Sequence, residues 1–313
     1  MADPDYILRR PGDAAEARRG IACLMGGPES PGRNESYTAA RVESFVTYSS
    51  QGQVDILRQV QAVNGRGELA GMCLWAASPG RTAMLFGPNL ADHPQAAKAT
   101  GACVQAALED AASAGVVLVQ AMVDPQDALS RETFANAGLM YLATLTYMER
   151  RPPLIVPSMA LPAGVTLEAY SAATHELFKT TIQETYQDTL DCPALSNLRD
   201  MEDVIAGHKA VGPFDGQLWS VVREHGVPRG VLLLGELTAR NALELVYLGL
   251  VPAARGKGLG KMLMNRVLAI ASRRAFALTS LAVDAANVPA AKLYRRCGFS
   301  PVADRQAFIR KLR

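Results

Sequence analysis

The chain repeats itself, and this limits its possible folds more than any other feature. Val123-Asp124 and Val283-Asp284 lie 160 residues apart, and the same ungapped offset sets Asp127 on Asn287, Phe134 on Tyr294, Gly138 on Gly298 and Leu139 on Phe299. Identity between the halves is low, but the matches stand at a strand end, on a helix face and at a helix-ending glycine, where structure is demanding. The offset predicts one unit made twice.

The order of elements supports this. Residues 53–63 and 67–78 read as strands around a turn at Asn64-Gly65, with a third strand from about Ala83. Residues 217–223, 230–236 and 242–250 repeat the plan. Each half continues with an amphipathic helix, an apolar strand, a short helix and a last strand, and opens with a helical region, roughly 12–49 and 171–210. Between the halves, Arg150 to Pro162 reads RRPPLIVPSMALP, and four prolines at that density favour extended linker backbone. The expected division is 1–150, a linker at 151–162, and 163–313, with an α/β (α+β) fold in each half.

Composition removes several classes of function. A net charge of +2 gives no field towards nucleic acid or membrane. The longest apolar stretch, Val116 to Val123, is too short to span a bilayer. Five cysteines without close pairs and four histidines without ligand spacing argue against a disulfide framework and a metal site, and reduced thiols fit a cytoplasmic protein. No G-x-S-x-G elbow supports a hydrolase.

The chemistry concentrates in residues 242–274. An apolar strand, Leu243 to Val251, turns at Pro252 and enters a helix through Arg255-Gly256-Lys257-Gly258-Leu259-Gly260. The helix carries Leu259, Met262, Leu263, Val267 and Ile270 at helical spacing. Glycines let a phosphate approach bare backbone, and the first turn of a helix offers free N–H groups and the positive end of its dipole. Arg255 and Lys257 add charge, so a diphosphate is the expected guest. A Walker A loop is excluded, because its first glycine would fall on Arg255 and its hydroxyl on Met262. A dinucleotide fingerprint fits poorly to glycines spaced GxGxG.

The segment resembles motif A of the GNAT (Gcn5-related N-acetyltransferase) superfamily, Arg/Gln-x-x-Gly-x-Gly/Ala, through Arg255, Gly258 and Gly260. A second stretch, Asn287-Val-Pro-Ala290-Ala-Lys-Leu293-Tyr294-Arg-Arg-Cys-Gly298-Phe299, resembles the family's N-x-x-A-x-x-L-Y-x-x-x-G-F signature. The likeness covers about residues 163–313 and is weak before that. It implies two tandem GNAT-like domains, each a mixed, mostly antiparallel twisted sheet flanked by helices. It also implies acetyl-CoA as cosubstrate and a small-molecule or peptide amine as acceptor. Backbone at Leu250 and Val251 would bind the pantetheine arm, N–H groups of Arg255 to Gly260 the diphosphate, and Asn287 the cofactor near the pantetheine. Tyr294 would stand beside the thioester sulfur as general acid. Glu244, eleven residues before Arg255 on the strand, would be the general base. Tyr186, Asp188 and Asp191 fall where the family's acceptor loop runs, and acidic groups there suit a cationic amine. Asn287 is also a good helix N-cap in its own right. A CoA-binding sensor without turnover is the alternative.

In the first half the same offset sets Gly258 on Lys98, Gly260 on Thr100, Tyr294 on Phe134 and Glu244 on Met84. Each change removes a chemical function, so the first half is expected to be a degenerate domain.

Overall fold

The structure, a computed structural model, describes residues 6–25, 42–46, 54–87, 94–196 and 198–312. In chain order its main elements are β1 (Tyr6–Arg9), α1 (Ala14–Leu24), β2 (Gln59–Asn64), β3 (Leu69–Ser78), β4 (Thr82–Phe86), α2 (Pro94–Ser113), β5 (Leu118–Val123), α3 (Ala128–Asn136) and β6 (Met140–Arg150). There follow β7 (Val165–Ala169), α4 (His175–Thr185), α5 (Met201–Lys209), β8 (Trp219–Glu224), β9 (Val227–Leu237), β10 (Ala242–Leu250), α6 (Leu259–Arg273), β11 (Leu278–Asp284), α7 (Val288–Arg296) and β12 (Ser300–Lys311). Of the helical region expected at 12–49, α1 and a helical stretch at 42–46 are seen, and residues 26–41 and 47–49 lie outside the described residues. The Asn64 hairpin is longer than a two-residue turn. The Asn64 carboxamide oxygen accepts from the N–H groups of Arg66 and Glu68 at 2.9 and 3.0 Å.

The chain forms two compact units, Met1–Leu142 with Gln306–Arg313, and Ala143–Arg305. In the first, β1, β2, β3 and β4 are antiparallel neighbours, β4 and β5 are parallel, and the 306–311 stretch of β12 closes the sheet antiparallel to β5. In the second, β7, β8, β9 and β10 are antiparallel, β10 and β11 are parallel, and β6 closes the sheet antiparallel to β11. The pattern is therefore made twice, with one difference from the division expected at 150 and 163. Each unit takes its last strand from the other half of the chain.

The equivalence of the two strands is visible in their arginines. The Arg150 guanidinium donates to the Cys297 carbonyl at the end of α7, and Arg310 donates to the Ala137 carbonyl at the end of α3 at 2.6 Å. Both helices then turn through a glycine in the left-handed region, Gly298 at φ 83° and Gly138 at φ 81°. These are two of the matches the 160-residue offset marked.

In the second unit, Leu259, Leu263, Val267 and Leu268 of α6 pack on Leu243, Leu245, Leu281 and Val283 of the sheet. Each such side chain contributes ~1.5–3 kcal/mol when fully buried, so this face fixes the start of α6 against the end of β10. The other face carries α4 and α5. There Phe178, Tyr170 and Trp219 meet edge-on or tilted, and the Trp219 indole N–H donates to the Leu234 carbonyl at 3.2 Å.

Candidate functional site

Between β10 and α6 the chain makes one 3-10 turn, Pro252–Ala254, and then passes through Gly256 at φ 75° and Gly258 at φ 88°. A Cβ at either would meet nothing within 4 Å, so the backbone conformation and not crowding demands glycine, and the turn is open on its outer side. Gly260 differs. It is helical, and a Cβ there would come 3.2 Å from Leu293 of α7, so it serves close helix packing. The first helical bond in this turn is Met262 N–H to the Gly258 carbonyl at 3.1 Å. The N–H groups of Leu259, Gly260 and Lys261 precede it and point along the helix axis, as an anion requires. Lys257 is exposed beside them, and Leu259 is buried below.

The Arg255 side chain is not part of this cradle. Its guanidinium donates to four carbonyls: Leu250 at 3.0 Å, Asp188 at 2.8 Å, Thr185 at 3.1 Å and Gln187 at 2.6 Å. The first unit has no such turn among its described residues. There α2 begins at Pro94, so the positions equivalent to Arg255–Gly258 are already helical. Thr100 is buried against Gly71 of β3, where a Cβ on the glycine would lie 2.6 Å from the Thr100 nitrogen.

β10 and β11 pair only over Ala242–Leu245 and Leu278–Leu281. Past a bulge between Leu245 and Tyr247, β10 follows β9 to Leu250, while β11 follows β6 to Asp284. Two parallel strands thus part, leaving this side of β10 beyond Leu245 without a neighbouring strand among the described residues. Val251 N–H is committed to the Arg229 carbonyl at 3.0 Å. Alternation along the strand turns Leu250 N–H the other way, towards the opening.

At the mouth of this opening stand the groups of the second motif. Asn287 caps α7, its side chain accepting from Ala290 N–H at 3.3 Å, as Asp127 caps α3 through Ser130 at 2.9 Å. Its carboxamide lies near enough to the Asp191 carboxylate to lower it. Asp191 Oδ1 accepts from Asp284 N–H at 3.2 Å, and Asp284 Oδ2 accepts from Cys192 N–H at 3.1 Å. The end of β11 and the 191–192 loop therefore hold each other. Burial raises Asp191, as does the nearby Asp284 charge, against the lowering influence of Asp284 N–H and Asn287. Burial and the two carboxylates push the Cys192 thiol up to about 12, so it is inert as a nucleophile. Tyr294 is 7% exposed, meets Phe299 edge-on at 6.3 Å, and has no hydrogen-bond partner among the described residues. Burial, then the charge of Asp191, lifts its phenol above the ordinary range.

Glu244 lies deeper in the sheet. It accepts a short hydrogen bond from the Ser280 hydroxyl, its register partner on β11. Burial raises its carboxyl, Ser280 and Arg240 pull it down, and Glu149 pushes it up again. Register places Glu149 opposite Ser280 and Tyr147 opposite Ala282, on the same face of the sheet as Glu244. Ala282 is exposed between them, so this face is open. Burial, then the Glu244 charge, raises the Tyr147 phenol. Tyr147 and Glu149 belong to β6, in the half of the chain read as a degenerate domain, which is why the sequence reading missed them. Ser280 shows no motif at all, and only the strand register singles it out.

Of the acceptor-loop residues, Tyr186 packs edge-on to Tyr247 at 5.9 Å, and burial raises its phenol. The Asp188 carboxylate is exposed, with φ 50°, and its carbonyl holds Arg255. Tyr247 bonds Thr185 at 2.8 Å and is stacked on His208 at 5.8 Å. The His208 Nε2 is buried with no partner among the described residues, and burial, then Arg199, lowers the ring from 6.5 to about 4. A depressed histidine contributes stability in full above about pH 6.5, lost as pH falls towards about 4. Denaturant midpoints measured from pH 7 to 4 should therefore fall more steeply in the wild type than in His208→Phe, which keeps the stack. Parallel curves would show that this ring does not titrate on unfolding.

Among the described residues, His175, Glu176 and Glu202 have ligand atoms close enough for a metal. His175 Nε2 is on Glu202 at 3.0 Å and Nδ1 on Tyr170 at 2.8 Å, and Lys179 holds Glu202 at 2.8 Å. These groups are already paired with one another. No helix among the described residues is long and apolar enough to cross a membrane.

Residues 181–299 match the model of the acetyltransferase (GNAT) family. A mycothiol acetyltransferase of Beutenbergia cavernae is 40% identical over 60 residues, which cover 19% of this chain and 20% of that protein, so the similarity spans about a fifth of this curated relative. A GCN5-related N-acetyltransferase of Sphaerobacter thermophilus has a TM-score of 0.58 at 18% identity, over 100% of this chain and 98% of that one. A tandem GNAT protein from the clavulanic acid biosynthesis pathway has a TM-score of 0.53 at 17% identity, over 98% and 99%. At these identities the two structures speak for the fold. The matched segment lies in the second unit, and the fold is shared with these two structures along almost the whole chain.

Proposed function

We propose that the second unit transfers an acetyl group from acetyl-CoA to a primary amine by direct attack in a ternary complex, and that the first unit is a degenerate copy. The observation that carries this reading is the open turn Gly256–Lys261, set where β10 and β11 part. Its free N–H groups suit the diphosphate, and the Leu250 N–H, turned towards the opening, suits an amide carbonyl of the pantetheine arm. Asn287 caps α7 close by.

In the reaction the amine nitrogen forms a bond to the thioester carbon and the carbon–sulfur bond breaks. The amine must first be neutral, and an aliphatic ammonium titrates near 10. Glu244 takes its proton, directly or through a water, and Tyr294 donates its own to the departing thiolate. With Glu149, Asp191 and Glu244 on this unit, the local potential favours a cationic acceptor, whether a small molecule or a peptide amine.

Calorimetry with coenzyme A and a thiol-release assay over a panel of amines test this together. One equivalent of coenzyme A and amine-dependent release are expected. Two equivalents would refute the degenerate first unit. Tight acetyl-CoA binding without amine-dependent release would make the protein a CoA sensor.

A further inference from the structure

The four bonds of Arg255 link the end of β10 to the loop that follows α4. Thr185 is the last residue of α4, and Gln187 and Asp188 follow it. Their carbonyls stand at the negative end of that helix, where orphan acceptors need donors. The Arg255 fork supplies them at 2.6–3.1 Å and spends its remaining direction on Leu250 of β10. The planar guanidinium suits such multiple contacts, and the ammonium of lysine does not. A few residues on, the same loop is held from its other side by Asp284 through Asp191 and Cys192.

We infer that Arg255 is a positioning residue that couples the coenzyme turn to the acceptor loop, residues 186–192, and is not a ligand of the diphosphate. The inference rests on the reading of Gly256–Lys261 as the coenzyme seat. A diphosphate gripped by those N–H groups fixes the backbone one residue after Arg255. Its guanidinium transmits that order to the carbonyls of residues 185–188, and so to Tyr186 and Asp191. By linkage, an acceptor that orders the loop must tighten coenzyme binding by the same factor.

Amide hydrogen exchange with coenzyme A as the probe tests this without knowledge of the acceptor. In the wild type, coenzyme A should slow exchange in both 256–261 and 186–192. Arg255→Met keeps the stem and removes the donors. Free Arg255→Met should exchange about tenfold faster in 186–192, with β9 and β10 unchanged, and should bind coenzyme A within about threefold of wild type. On binding it should protect 256–261 alone. Arg255→Gln, with one amide donor, should fall between. A merely structural arginine would leave the coenzyme-induced protection of 186–192 in place. A tenfold or greater loss of coenzyme affinity in Arg255→Met with unaltered exchange in 186–192 would overturn the inference by assigning the side chain to the phosphate. Wild-type protein that protects 256–261 but not 186–192 would overturn it even if the variant does not fold. Wild-type protein that binds no coenzyme A fails the proposed function itself, and unchanged exchange at 186–192 in the free variant would then also remove the latch.

Discussion

Tyr294→Phe is expected to lower the turnover of amine-dependent thiol release by about 10²-fold while acetyl-CoA affinity stays within about threefold. The reason lies in how the phenol is kept. Its ring is packed against Phe299 and its hydroxyl bonds to no described residue, so removing the oxygen leaves no orphaned partner and costs the fold little. Burial and the charge of Asp191 raise its pKa, so it is neutral wherever the enzyme works. A free thiol titrates near 8.5, so in water a phenol would give up its proton to a thiolate only uphill. In this buried place the departing thiolate also loses solvent, so its proton affinity rises together with that of the phenol. The phenol then acts as a hydrogen-bond donor that completes its transfer as the carbon–sulfur bond breaks. Steady-state kinetics on the variant, with a thermal melt beside it, separates this from a packing role. A variant that melts as the wild type and turns over within twofold of it would make Tyr294 a core aromatic.

The same residue shows what sequence could and could not supply. The offset of 160 residues lands on helix caps and helix-ending glycines because those positions tolerate few residue types, and the structure repeats the caps at Asp127 and Asn287. The glycines of the turn between β10 and α6 were legible for the same reason, and Gly260 also packs closely on Leu293. The exchange of β6 and β12 was not legible. Both strands carry an arginine at the equivalent end, and nothing in the order of elements says which sheet each strand joins. That ambiguity hid Tyr147 and Glu149 from the reading of the second unit. Arg255 was read as an anion partner because a guanidinium suits carbonyls and phosphates alike, and only the coordinates show which oxygens it has taken. Asp191 was placed in the acceptor region by resemblance. Its bond to Asp284 could not be foreseen, since it joins loops nearly a hundred residues apart.

Glu244→Gln should remove the base and leave its place intact. Glutamine keeps a carbonyl oxygen to accept from Ser280, so the β10–β11 contact survives, but it can take no proton from an ammonium. The expected loss in kcat/KM for the amine is about 10²–10³-fold. The pH profile gives the sharper test. Burial raises the Glu244 carboxyl above the ordinary carboxylate range, and the bond from Ser280 only partly offsets this. The base works ionised, so wild-type activity should fall as pH drops through that raised value, and the variant should lose this limb. Stability should move in the opposite sense. A carboxyl whose folded pKa is raised favours the fold in its protonated form, and that contribution is complete below its unfolded pKa and lost as pH rises through the folded value. At pH 7 the ionised Glu244 is therefore a cost to the fold, which glutamine does not carry. The variant should melt at the wild-type temperature or above it, with activity nearly abolished. A group kept only for structure could not give that pairing, whereas a variant that is less stable and retains activity within threefold would remove Glu244 from the mechanism and leave Tyr147 and Ser280 as scaffold around it.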